Sequence, residues 1–179
     1  MAYLVLTCRV LLALVMLAAA LGKLRSRDAL TGFQASVRGL GLLPDRSAAP
    51  VAGVVIAGEL AAPALLAVPT TTGAGFAVAA VVLASFTAVV LAAVLRRRRV
   101  PCRCFGASGR PLGMPHLVRN AALTVAAASC GWASLGLART ALDLGGVVLA
   151  LGAAAVIALL VIAFDDLVSL FAAERPAAS

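Results

Sequence analysis

The sequence is poor in charge, in aromatic residues and in acid. Of its 179 residues, 12% are charged and 4% aromatic, and 7 Asp and Glu stand against 15 Lys and Arg. A soluble domain carries about a quarter of its residues as charges and about half as apolar side chains, whereas 63% are hydrophobic here. That excess of apolar surface has to face something other than water, so a soluble domain is excluded and a lipid bilayer is the first expected partner. Also missing are short segments of alternating apolar and polar residues, which excludes a transmembrane β-barrel. Few aromatics amid abundant Ala, Leu and Val point instead to helices packed closely through small side chains. The expected fold class is all-α, a polytopic transmembrane helical bundle in the cell membrane. The net charge of +8 would suggest nucleic acid in a soluble protein. The bases lie between apolar stretches, where they act as topology determinants, so no nucleic-acid partner is expected.

Five apolar segments stand out, at about residues 4–21, 51–68, 73–95, 117–138 and 144–164. Each is close to the ~20 residues that a helix needs to cross a bilayer core. They define one membrane domain over residues 1–164, with 165–179 as a short cytoplasmic tail. The second segment departs most from the pattern, because it carries Glu59 and Pro63. Ala18-Ala19-Ala20 resembles a signal-peptide cleavage region, but there is no basic stretch ahead of the first segment and Arg9 falls inside it. An uncleaved first span is therefore expected. In residues 26–41, Leu30, Phe33, Val37 and Leu40 share one helical face, which predicts a short amphipathic helix lying on the inner surface.

Charge sets the expected orientation. The first connection holds Lys23, Arg25, Arg27, Arg38 and Arg46, and the third holds Arg96, Arg97, Arg98, Arg99, Arg103, Arg110 and Arg119 with no acid. Basic connections stay in the cytosol, which puts the N-terminus outside and, with five spans, the C-terminus inside.

The sharpest chemical feature is Pro101-Cys102-Arg103-Cys104-Phe105-Gly106, which follows the four arginines. Two thiols one residue apart can close a strained disulfide or grip a soft metal. Nearby cations favour the thiolate, the form that reacts in thiol–disulfide exchange. A zinc site ordinarily needs four ligands, and His116 would supply only a third, so no metal and no cofactor are assigned. His116 itself reads as an interfacial residue at the start of the fourth span. Cys8 and Cys130 fall inside spans, ~8 and ~12 Å below their outer ends at 1.5 Å per residue. They are either a second redox pair toward the outer face or two inert residues filling small packing sites. Arg9 and Glu59 are the costliest residues in the spans, because a charge in lipid faces the bundle interior and needs a partner. Their depths differ by about a helical turn, so an Arg9–Glu59 ion pair locking the first two spans is expected, with a proton or substrate site as the other reading. Lys23, at the inner end of its span, is free to snorkel to headgroups.

Taken in order, these residues resemble the MauE family of methylamine-utilisation proteins, related to DoxX-like membrane proteins. The resemblance runs through Arg9, Gly22-Lys23-Leu24, Gly41-Leu42-Leu43-Pro44, Glu59-Leu60, Cys102-Arg103-Cys104-Phe105-Gly106 and Arg119-Asn120. It covers the first four spans, so a DoxX-like four-helix core plus a fifth C-terminal span is implied. It further implies a membrane thiol–disulfide component with Cys102 and Cys104 as its redox pair. Such a component acts with a thioredoxin-like, MauD-type protein in maturing an extracytoplasmic disulfide-containing partner. For the family that partner is the small subunit of methylamine dehydrogenase. A non-catalytic membrane anchor of an oxidoreductase complex is the alternative, and a small-molecule transporter is disfavoured by the lack of paired broken helices.

Overall fold

The computed structural model describes residues 1–42, 44–96, 113–136 and 143–172, with side chains described as far as residue 164. The described chain forms α1 (Ala2–Leu24), α2 (Arg27–Gly39), a single 3₁₀ turn (Asp45–Ser47), α3 (Ala48–Ala67), α4 (Thr72–Leu95), α5 (Met114–Leu135) and α6 (Leu144–Ala172). Among the described residues there is no strand.

Side-chain contacts give the directions. Gly58 of α3 abuts Val82 of α4 and Gly75 abuts Leu66, so α3 and α4 are antiparallel. Gly131 of α5 meets Phe76, and Thr87 of α4 lies 3.4 Å from Thr124 by their hydroxyl oxygens, so α4 and α5 are antiparallel as well. Tyr3 meets Gly146, which sets α6 parallel to α1. One end of the bundle therefore gathers the N-terminus, the α3–α4 turn and the start of α6. The opposite end gathers α2, Arg96 and Gly113, and we call it the basic end.

α1 is central, packing against α3, α5, α6 and α2, while α5 lies chiefly along α4 and makes only slight contact with α6. The core is built from Leu12, Val15, Leu66, Phe76, Ala127 and Ala154. Small residues let the helices approach closely: a Cβ at Gly75 would sit 2.8 Å from the Leu66 backbone nitrogen.

Among the described residues, four helices are long and apolar enough to cross a membrane: α1, the stretch Asp45–Ala67, α4, and Leu144–Phe164 of α6. The protein is a multi-pass membrane protein of the all-helical class. α5, also expected as a span, is a helix of 22 residues lying along the others. His116, Arg119 and Asn120 make its first turns more polar, and all three are buried. Pro63 does not break α3. It removes one N–H, that which would bond the Glu59 carbonyl. At the far end of the chain the α6 helix runs past Phe164 to Ala172, so residues 165–172 are helical where a tail was expected.

α2 is capped by Ser26, whose hydroxyl accepts from the Ala29 N–H at 3.0 Å. It packs on α1 and α3. Phe33 and Leu40 are buried and Leu30 and Val37 half-buried, so the predicted apolar face exists and is turned into the bundle. Gly41, at φ 59°, provides the left-handed residue that ends this stretch.

Candidate functional site

Toward the basic end, the helices enclose a group of charged and polar side chains in a bundle that is otherwise apolar. Lys23 Nζ lies 2.6 Å from Glu59 Oε1, with both side chains almost wholly inaccessible. Lys23 also donates to the Ala19 carbonyl at 3.3 Å. Its ammonium sits 5.0 Å from the centroid of Phe33 and 5.4 Å from that of Phe86, so two aromatic faces cover it from α2 and α4. Desolvating either ion alone costs several kcal/mol, and their contact offsets that only because the geometry is close and further hydrogen bonds are made.

This arrangement corrects the expected Arg9–Glu59 pair. Arg9 turns to the end of α3, where its Nε donates to the Leu66 carbonyl and a terminal nitrogen donates to the Ala67 carbonyl at 2.7 Å. The last carbonyls of a helix have no internal donor, so a guanidinium satisfies them directly. Lys23, expected to snorkel outward, is 1% exposed and takes the role given to Arg9. Met16 and Ala19 of α1 line one cavity with Glu59, and Lys23, one turn beyond Ala19, leans back toward the N-terminus to reach the carboxylate.

Glu59, Arg119, Asn120, Met16 and Phe86 line a cavity of about 20 Å³, the room of one water. Glu59 Oε2 has no hydrogen-bond partner among the described residues, so a donor in this cavity would complete the carboxylate. His116 is buried at the start of α5. Arg119 and Asn120, part of the resemblance but without an assigned role, both come to this chamber.

Near the other end, Cys8 of α1 and Cys130 of α5 are both buried and unbridged. Cys8 Sγ is 3.5 Å from the Ala126 carbonyl oxygen, one turn before Cys130 on α5. The structure thus brings together two cysteines that sequence depth alone left as either a pair or two separate packing residues. Cys102 and Cys104 lie outside the described residues, between Arg96 and Gly113.

At the rim of the same end, Asp143 caps α6: its Oδ2 accepts the Gly146 N–H at 2.7 Å, and the Tyr3 hydroxyl donates to Oδ1. These bonds hold the Asp143 carboxyl below its ordinary value, with Tyr3 the larger cause and Gly146 the next. A depressed carboxylate contributes stability that is present above its unfolded pKa and lost as pH falls through the folded one. The start of α6 is therefore expected to stay docked on Tyr3 through mildly acidic pH and to loosen only below the usual carboxylate range. Hydrogen exchange at the amides of Gly146 and Val147 measures this, and Asp143→Ala removes the pH response. Sequence reasoning had no signal for this contact, since Tyr3 and Asp143 are 140 residues apart.

Residues 1–133 match the family model described as methylamine utilisation protein MauE. No curated protein and no solved structure matches the chain.

Proposed function

Since the chain belongs to the MauE family, we propose that it is an integral membrane thiol–disulfide redox component. In this reading it assists maturation of an extracytoplasmic disulfide-containing partner, the methylamine dehydrogenase small subunit or another substrate, together with a thioredoxin-like protein. The observation that carries the proposal is Cys102-Arg103-Cys104, which falls inside the matched residues 1–133 directly after four arginines. Arginine side chains lower the cost of the thiolate and so speed exchange with an incoming disulfide. Two thiolates separated by one residue can attack and resolve a mixed disulfide without recruiting a third cysteine.

The orientation argument adds a requirement. Arg25, Arg27, Arg38, Arg46 and Arg96 all belong to the basic end, while Arg9 is the base near the other end among the described residues. By the positive-inside rule the basic end faces the cytosol, and Cys102 and Cys104 sit in the connection between Arg96 and Gly113. On that orientation, electrons have to pass between Cys102 and Cys104 on the cytosolic side and a partner on the other side of the bilayer.

Replacing Cys104 by Ser is expected to leave the bundle intact and to abolish maturation of the partner's disulfides in cells. The readout is the partner's thiol content after trapping with a maleimide. Full maturation in cells carrying both Cys102→Ser and Cys104→Ser would contradict the proposal and support the membrane-anchor reading.

A further inference from the structure

The redox reading above uses Cys102 and Cys104 and leaves Cys8 and Cys130 without a task. These two belong to α1 and α5, helices that the bundle holds side by side. The Ala126 carbonyl, which receives Cys8 Sγ at 3.5 Å, is also the acceptor for the N–H of residue 130 in an α-helix. The Cys8 sulfur is thereby placed at the level of the Cys130 backbone, on the helix that faces it. Exposure is 7% for Cys8 and 6% for Cys130, so a soluble protein cannot reach either sulfur without separating the helices.

The surroundings are apolar. Both cysteines belong to the cluster that holds Val5, Leu12, Phe76, Ala127 and Ala154. The nearest cation in the sequence, Arg9, is committed to the carbonyls of Leu66 and Ala67. The charged chamber is anchored at Met16 and beyond, roughly 12 Å further along α1 at the helical rise. The side chains described around the pair are apolar, which disfavours a charged partner approaching from water. A low-dielectric site favours a reaction whose reactants and products are all neutral. Oxidation of the dithiol by a quinone meets that condition: two S–H bonds break and one S–S bond forms. The two electrons and two protons pass to the quinone, which becomes the hydroquinone. Dithiol, disulfide, quinone and hydroquinone are each uncharged.

We propose that Cys8 and Cys130 are a redox pair that closes to a disulfide between α1 and α5 by passing two electrons to a lipid-dissolved quinone. The physiological use of the pair rests on the thiol–disulfide reading, but the step itself does not require Cys102 or Cys104. In the direction this gives, electrons leave protein thiols for the membrane quinone pool, which suits a component that drives disulfide formation near the N-terminal end of the bundle.

The test uses full-length protein carrying Cys102→Ser and Cys104→Ser, which retains only Cys8 and Cys130 of the 4 cysteines. The protein is reduced, placed in liposomes and exposed to decylubiquinone, then denatured and labelled with a maleimide of large mass. The expected result is two labels per chain before quinone and none after, restored to two by dithiothreitol, with one quinone reduced per chain. A Cys8→Ser variant in the same background should keep its single label and reduce no quinone. Two labels persisting after decylubiquinone, while copper phenanthroline closes the pair, would overturn the quinone as acceptor. Two labels persisting under both oxidants would overturn the pair itself. Neither failure touches Cys102 and Cys104, which are replaced in this protein, so it is distinguishable from failure of the proposed function.

Discussion

Replacing Glu59 by Gln, or Lys23 by Met, one at a time, is expected to lower the free energy of unfolding by about 3–5 kcal/mol, the range for breaking one half of a buried ion pair. The cause is the charge left behind. Lys23 Nζ and Glu59 Oε1 are 2.6 Å apart with both side chains inaccessible, so removal of either leaves its partner ionised in a medium that solvates it poorly. The Lys23→Met, Glu59→Gln double variant removes both charges and is expected to recover most of the loss, because a buried amide costs less than an uncompensated buried charge. Reversible unfolding in mixed micelles measures all three. Equal losses that simply add in the double variant would mean that the two groups do not sense each other.

The second large effect separates the observed arrangement from the one that sequence depth suggested. Arg9→Ala withdraws the donors to the Leu66 and Ala67 carbonyls, and a charge-assisted hydrogen bond contributes about 1.5–3 kcal/mol. A loss of about 2 kcal/mol or more is expected, with faster hydrogen exchange confined to the α3–α4 turn. Combined with Glu59→Gln, the two losses should add within about 0.5 kcal/mol, the behaviour of residues without shared partners. The Lys23 and Glu59 losses should instead show a coupling of several kcal/mol. An Arg9–Glu59 coupling of that size would restore the pairing that the geometry argues against.

The contrast between these residues shows what could be read in advance. Hydropathy and length carried the class and the helices, because every polar backbone group in lipid has to be satisfied within a helix or a closed barrel. The α3 helix survived Pro63, and α2 followed from its apolar spacing. The need of Glu59 for a partner was equally legible, since an acid in a span is costly. Which base answers it was not, because depth along a helix says nothing about side-chain lean or about competing acceptors. Arg9 had such acceptors in the terminal carbonyls of α3, and Lys23 had a covered site beneath Phe33 and Phe86. The latter depends on α2 folding back over the bundle end, a tertiary event that local pattern cannot foresee. For Cys8 and Cys130 the depths suggested a meeting, but only the packing of α5 against α1 decides it. The bond between the Asp143 cap on α6 and Tyr3 had no local signal, since 140 residues separate them.

The central claim is that Cys102 and Cys104 cycle between thiols and a disulfide as this membrane protein exchanges electrons with a thioredoxin-like partner. The most direct measurement is thiol trapping in cells expressing the Cys8→Ser, Cys130→Ser protein, whose remaining cysteines are those two. Acid quenching and maleimide labelling should find two free thiols or none according to whether the thioredoxin-like partner is present. Two free thiols in both conditions, at any time after the partner is supplied, would contradict the account.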